Sequence, residues 1–347
     1  MSLHASQIDQ AAAPADSARF EAFSAPAAQE RRQGEARVCM TPRYGEGERE
    51  VRVHWRLEGA AGAPVIIVQG GISADRNALP SATHQGWWRG FAGAGCAIDT
   101  ARWRVLGIDW LSRRDLGAAR AIDTADQASA IAGVLGALGI AQVHAFIGAS
   151  YGAMVGLAFA ARFPARLARL CAIAGAHRAH PLSVALRNIQ RDIVRLGARS
   201  GDGLGGLALA RRLAMTTYRS DREFAERCSD APVYADGRFQ FAEEPWLRAA
   251  GERFAARFDA QRYLALSESI DLHAVEPERI GVPVTLVGIS SDRVVPLADV
   301  CELQRRCGSS ATLHVIDSLY GHDGFLKEDA QIGAIVSEIL ESRGGVQ

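Results

Sequence analysis

One serine, one aspartate and one histidine stand in this chain in an order that suits nucleophilic acyl chemistry. Ser150 is the centre of Gly148-Ala149-Ser150-Tyr151-Gly152, and Asp292 and His322 follow it in that order. A serine hydroxyl is a weak nucleophile at its own pKa and needs a neighbouring base to take its proton. His322 would be that base. Asp292 would hold the imidazole in one tautomer and stabilise the imidazolium. G-x-S-x-G between a buried strand and a helix describes a sharp turn that lifts the serine clear of the sheet. The pentapeptide alone also fits a tight turn with a solvated serine, so its flanks decide. Helix N–H groups behind Ser150 would face the reacting oxygen. The Tyr151 N–H is the expected first oxyanion donor and Gly71, in the loop after an earlier strand, the second.

The elements that must position these residues can be read from hydrophobic patterning. Pro64-Val65-Ile66-Ile67-Val68-Gln69 is a continuous β-branched run, as in a strand buried on both faces. Trp103 to Asp109, Val143 to Gly148 and Leu167 to Ala174 read the same way. Pro283 to Gly288 leads into the loop bearing Asp292, and Thr312 to Ile316 precedes His322. His314 also lies late in the chain, but inside a strand pattern. Helical periods cover Thr124 to Leu138, with Thr124 or Asp126 as cap, then Gly152 to Arg162, and Ala330 to Leu340. This alternation predicts a doubly wound, mostly parallel sheet of the α/β-hydrolase fold. Arg37 to Met40 and Val51 to Leu57 alternate as a hairpin turning at Gly45-Glu46-Gly47-Glu48. Residues 1–35 are expected to be a disordered tail. Core is expected at 36–175 and 281–347, with a strand-poor helical cap inserted at 176–280.

Composition removes several function classes. The chain has 347 residues, 48% of them hydrophobic, which suffices for a large core. Its 39 basic and 39 acidic residues cancel, so no net field favours a nucleic acid or an anionic membrane. No segment is apolar for long enough to span a bilayer. The N-terminus lacks the basic and apolar regions of a signal peptide. Six dispersed cysteines without a C-x-x-C pair read as reduced thiols, hence a cytoplasmic protein. His177 and His180 are spaced as a metal pair could be, but no third ligand is evident and no metal is expected.

The same motifs resemble the MetX-type homoserine O-acyltransferases from about residue 51 to 340. The resemblance lies in Gly86-Trp87-Trp88 with Ala97-Ile98-Asp99-Thr100, and in Ser150-Tyr151-Gly152-Ala153-Met154. It continues through Ala210 to Arg219 and Arg253 to Leu264, and ends in Gly321-His322-Asp323-Gly324-Phe325-Leu326. It implies Ser150, Asp292 and His322 as catalytic triad. It implies Arg211 and Asp323 as contacts to an amino-acid substrate, which suits a zwitterion with one charge at each end. It further implies acyl-CoA as co-substrate rather than a bound cofactor, L-homoserine as acceptor, a place in methionine biosynthesis, and a homodimer packed through the cap helices. The loops at Gln69-Gly70-Gly71-Ile72-Ser73 and after Asp109 depart from the family pattern.

The acyl group is a separate question. Ala176-His177-Arg178-Ala179-His180-Pro181 follows the strand after the nucleophile helix and should border the acyl pocket. A succinyl group ends in a carboxylate, so a cation there favours succinyl-CoA over acetyl-CoA, with Arg178 or Arg187 as anchor. His177 and His180 equally fit a helix cap. Acetyl transfer, serine as acceptor, and an esterase or thioesterase on the same triad are the alternatives, since fold alone does not separate them. A non-enzymatic binding protein is a further one, disfavoured by the intact triad.

Overall fold

The computed structural model describes residues 29–112, 114–115, 117 and 121–342. The chain opens with a long antiparallel pair, β1 (Gln29–Met40) and β2 (Arg49–Ala60), joined by a turn. β3 (Val65–Gln69) follows, then two short strands, β4 (Ala92–Gly93) and β5 (Ile98–Asp99), and then β6 (Arg104–Ile108). α1 (Thr124–Ala137), β7 (Ala145–Ala149), α2 (Tyr151–Arg162) and β8 (Leu170–Ile173) complete the first half.

The cap is α3 (Pro181–Arg199), α4 (Gly203–Tyr218), α5 (Asp221–Arg227), a hairpin of β9 (Val233–Ala235) and β10 (Arg238–Gln240), α6 (Glu243–Ala255) and α7 (Ala260–Asp271). The chain returns to the sheet with β11 (Val284–Ile289), α8 (Leu297–Cys307), β12 (Ala311–Ile316) and α9 (Asp329–Glu341).

Eight strands form one sheet in the order β1-β2-β6-β3-β7-β8-β11-β12. β1, β2 and β6 pair antiparallel, and every pairing from β6 onward is parallel. The register sets Ile67 against Phe146, Phe146 against Leu170, and Leu286 against Leu313. Successive residues of a strand point to opposite faces, and both faces are covered here. Ile67, Leu106, Phe146, Leu170 and Leu286 pack with Ile131 of α1, Phe159 of α2 and Leu303 of α8. Ile66, Val68, Val105, Ile147 and Val287 pack with Ile332 and Val336 of α9. Double coverage explains why the inner strands are apolar without alternation. Ser150, Asp292 and His322 then all emerge beyond the carboxyl ends of parallel strands, the end at which such sheets bind ligands.

Three local expectations are corrected. β1 begins at Gln29, so residues 29–35 are strand rather than tail. Their Gln-Glu-Arg-Arg-Gln-Gly sequence has no apolar alternation, because this is an edge strand defined by pairing with β2. The rest of the expected tail, 1–28, lies outside the described residues. The cap contains the β9–β10 hairpin, turning at Asp236-Gly237, both with positive φ. α1 is capped by Asp123, not Thr124 or Asp126. Its carboxylate accepts the Asp126 N–H at 2.9 Å while the Asp126 carboxylate accepts the Asp123 N–H at 3.1 Å.

Among the described residues no helix is long and apolar enough to cross a membrane. None of the His, Cys, Asp and Glu side chains described cluster in a group that could hold a metal ion, and all six cysteines are free.

Candidate active site

The elbow is built by backbone crowding. β7 ends at Ala149, and Ser150 takes φ 56° and ψ −117° before α2 begins. A non-glycine residue there stores strain, which persists because the surroundings over-determine it. The Ser150 N–H donates to Ile173 O at 2.8 Å, and the Gly152 N–H donates to Gly70 O at 2.9 Å. A Cβ on Gly148 would run into the Gly152 carbonyl, and one on Gly152 into the carbonyl of Gln69 at the end of β3. Both glycines are therefore needed for strand, turn and helix to come this close. Gln69 itself is buried, its amide bonded to Ile108 O at 3.1 Å, which locks the tips of β3 and β6 together.

Asp292 follows β11, and its Oδ1 accepts the Val294 and Val295 N–H groups at 2.7 and 2.9 Å. Its Oδ2 lies 2.6 Å from His322 Nδ1, and His322 Nε2 lies 2.8 Å from Ser150 Oγ. With Nδ1–H donating to the carboxylate, the Nε2 lone pair faces the serine hydroxyl. Asp292 and His322 are 5% and 3% exposed, so the pair is shielded from water. Burial pushes the His322 imidazole down, but the Asp292 carboxylate pushes it further up. Asp323 adds to the rise and Arg187 opposes it, leaving His322 above the ordinary histidine value. His322 sits in a short 3-10 turn, Gly321–Leu326, with its ring 5.6 Å from those of Tyr218 and Phe325.

The expected oxyanion donors adjoin this chain of hydrogen bonds. The N–H groups of Tyr151 and Gly71 have no backbone acceptor among the described residues. A Cβ on Gly71 would meet nothing within 4 Å, so open space adjoins it. The Gly152-to-Gly70 bond ties this loop to the elbow. The Tyr151 side chain, by contrast, is buried, with its hydroxyl 2.6 Å from Ser269 Oγ of α7 and its ring edge-on to Trp110.

The cap brings charge to the site. Arg211 on α4 has no ion-pair partner among the described residues. Its guanidinium lies 4.9 Å from the ring centres of both Tyr218 and Phe254. Tyr218 in turn packs on His322, so Arg211 is one side chain away from the imidazole. Asp323 is paired with Arg219 at 3.0 Å, and Arg219 also holds Glu223 at 3.2 Å. Ser220 Oγ donates to Leu319 O and accepts the Glu223 N–H, which pins the start of α5 to the histidine loop.

The two arginines expected near the acyl pocket separate. Arg178 is largely exposed and pairs with Glu302 at 3.4 Å, so it belongs to the solvent side. Arg187 is buried and pairs through Nε with Asp271 at 2.6 Å. His180 occupies the N-cap position of α3, but its ring contacts Asp299 at 2.9 Å instead of capping. His177 is buried beside Glu302, 3.7 Å away. Sequence reasoning missed Arg191 and Asp271, and it assigned no contact to Tyr218 and Arg219 within the segment 210–219. The one available signal was Ser183, Arg187 and Arg191, spaced four apart on a helix, a polar stripe where an apolar one would ordinarily face inward.

Known proteins resemble this chain along most of its length. The family described as alpha/beta hydrolase fold matches residues 63–329. A homoserine O-succinyltransferase of Xanthomonas campestris pv. campestris is 47% identical, covering 88% of this chain and 84% of its own. A homoserine O-acetyltransferase of Clavibacter michiganensis subsp. michiganensis is 32% identical, covering 81% and 84%. Among solved structures, a homoserine O-acetyltransferase from Bacillus anthracis superposes with a TM-score of 0.80 over 91% of this chain and 99% of its own, at 18% identity, a likeness of fold.

Proposed function

The chain belongs to the homoserine O-acyltransferase family of the α/β-hydrolase fold, and we propose from that premise that it moves an acyl group from coenzyme A to the hydroxyl of L-homoserine through acyl-Ser150. The Ser150 hydroxyl attacks the thioester carbonyl as His322 Nε2 takes its proton. The tetrahedral oxyanion is held by the Tyr151 and Gly71 N–H groups. The intermediate collapses, the thiolate leaves, and it carries away the proton from His322. The homoserine hydroxyl then attacks the serine ester while His322 takes its proton, and that proton returns to Ser150 as the product ester departs. Asp292 stabilises the imidazolium in both halves. Such acid–base assistance is worth about 10²–10⁴ in rate.

The observation that carries this reading is Arg211, a cation without a carboxylate partner among the described residues, held on two aromatic rings of which one, Tyr218, packs on His322. A cap built for lipid esters would present an apolar surface there. Arg211 suits the acceptor's carboxylate, and Asp323, backed by Arg219, suits its ammonium. Succinyl-CoA is the favoured donor, in keeping with the 47% identity to a succinyltransferase against 32% to an acetyltransferase. Acetyl-CoA, or serine as acceptor, is the nearest alternative.

Further proposals follow from membership. The enzyme needs no bound cofactor, serves methionine biosynthesis in the cytoplasm, and engages neither nucleic acid nor membrane. It forms a homodimer through its cap, a reading supported by exposed Leu182, Ile189 and Leu196, seven apart along α3. The mechanism is tested by intact-protein mass after mixing with succinyl-CoA alone. One succinyl group is expected on the wild type and none on Ser150→Ala, and homoserine should discharge it. A mass unchanged under single-turnover trapping, with product still forming, would argue for direct transfer instead.

A further inference from the structure

Ser183, Arg187 and Arg191 line the buried face of α3 and tie it to two parts of the site's surroundings. Ser183 Oγ donates to Val294 O at 2.8 Å, and the Val294 N–H holds Asp292. One helical turn further on, Arg187 donates from Nε to Asp271 Oδ1 at 2.6 Å. Arg191 donates from Nη1 to Asp271 Oδ2 at 2.6 Å and to Ser267 at 3.1 Å. Asp271 and Ser267 belong to α7, the helix that also holds the hydroxyl of Tyr151 through Ser269. Arg187 is therefore bracketed between the acid loop and the residue next to the nucleophile.

The hydrogen-bonding capacity of this bracket is not fully met. Arg187 and Arg191 are 8% and 7% exposed and share one carboxylate. The neighbouring hydroxyl of Tyr263 donates to the neutral Gln190. Asp292 is taken up by His322 and two backbone N–H groups, while Asp323 and Glu223 are matched by Arg219 and Arg227. Arg187 Nη2 is buried without an acceptor among the described residues. A buried guanidinium with an unmet donor is costly unless an anion completes it. Arg187 also opposes the rise in the pKa of His322, as a cation in the neighbourhood of the imidazole does. Arg211 answers the acceptor's carboxylate. The unmet donor of Arg187 asks for a second carboxylate, which homoserine does not have and an acetyl group cannot supply.

We propose that Arg187, braced by Asp271 and Arg191, is the residue that reads the acyl group, binding the distal carboxylate of a short dicarboxylic acyl donor such as succinyl. This rests on the acyl-transfer reading above and narrows its substrate class. Asp271 and Arg191 act as positioning residues: they fix the guanidinium plane and leave its outer nitrogens for the ligand.

The test compares succinyl-CoA and acetyl-CoA, each with saturating homoserine, on the full-length wild type, Arg187→Gln and Arg187→Lys. In Arg187→Gln, kcat/KM for succinyl-CoA should fall about 30-fold or more, the scale of losing a buried charge-assisted pair, while that for acetyl-CoA stays within about threefold. Arg187→Lys, which keeps the charge but not the fork, should lose less on succinyl-CoA and again spare acetyl-CoA. Free succinate should inhibit the wild type competitively against succinyl-CoA, and the glutamine variant much less. Acetyl-CoA turnover reports on folding in each variant, and the lysine variant carries the comparison if the glutamine one does not fold. Equal losses on both donors, or a wild type that prefers acetyl-CoA, would overturn the proposal. A wild type that releases CoA from both donors without regard to homoserine would instead overturn the acyl-transfer reading on which it rests.

Discussion

The two sides of this site are built by opposite means. On the sheet side, position comes from backbone: Ser150 is forced to φ 56° by a strand, a helix and two glycines that admit no Cβ. Its apolar surroundings contribute rigidity. On the cap side, position comes from side-chain charge: Arg187 and Arg191 share Asp271 of α7, Arg219 pairs with Asp323 of the histidine turn, and Arg211 lies over the rings of Tyr218 and Phe254. Under the proposed function, the reaction and its substrates are specified separately. Damage to the sheet side should stop chemistry for every donor and acceptor, whereas damage to the cap should change which molecules are accepted.

Asp292→Asn offers the largest test of the sheet side. Turnover should fall by about 10⁴, because the asparagine favours the wrong imidazole tautomer. The pH profile carries the sign. His322 must be neutral to act as base, and its pKa is raised in the wild type, so the acid limb of kcat/KM should lie above the ordinary histidine value of about 6.5. Without the carboxylate, burial remains and the residual activity should show a limb below that value. An unshifted limb would detach Asp292 from His322.

Gly152→Ala comes next. Its Cβ collides with the Gln69 carbonyl, so the elbow must open. A stability loss of about 1–3 kcal/mol is expected from overpacking, together with a fall of at least about 100-fold in kcat from misplacing the nucleophile. Equal losses with all donors and acceptors would sharpen the contrast; a change confined to one substrate would break it. Arg211→Gln should act on the other side, raising KM for homoserine about 10- to 100-fold, as loss of a charge-assisted pair predicts. Acylation of Ser150 in the absence of acceptor should be unaffected, which single-turnover measurements can check.

Legibility in the sequence follows the same division. The β3 run Val65-Ile66-Ile67-Val68-Gln69 and the elbow pentapeptide are local patterns imposed by local geometry, so both could be read directly. Asp292 and His322 followed because their places after β11 and β12 are set by chain order. The cap pairings could not be read this way. Nothing near Arg187 in sequence marks Asp271 as its partner, 84 residues away, nor does Asp323 point to Arg219. Long-range ion pairs leave no periodicity. Residues 29–35 of β1 were hidden for a related reason, since their strand character comes from His54 to Ala60 across the ladder rather than from their own side chains.

The most direct measurement of the central claim is CoA release from succinyl-CoA by the wild type, with and without L-homoserine, alongside Ser150→Ala. The account predicts release that depends strongly on homoserine and is matched by formation of the O-acyl ester, and a variant that folds normally and is slower by about 10⁴ or more. Release at the same rate without homoserine, with free succinate as product, would contradict it and make Ser150 the nucleophile of a hydrolase.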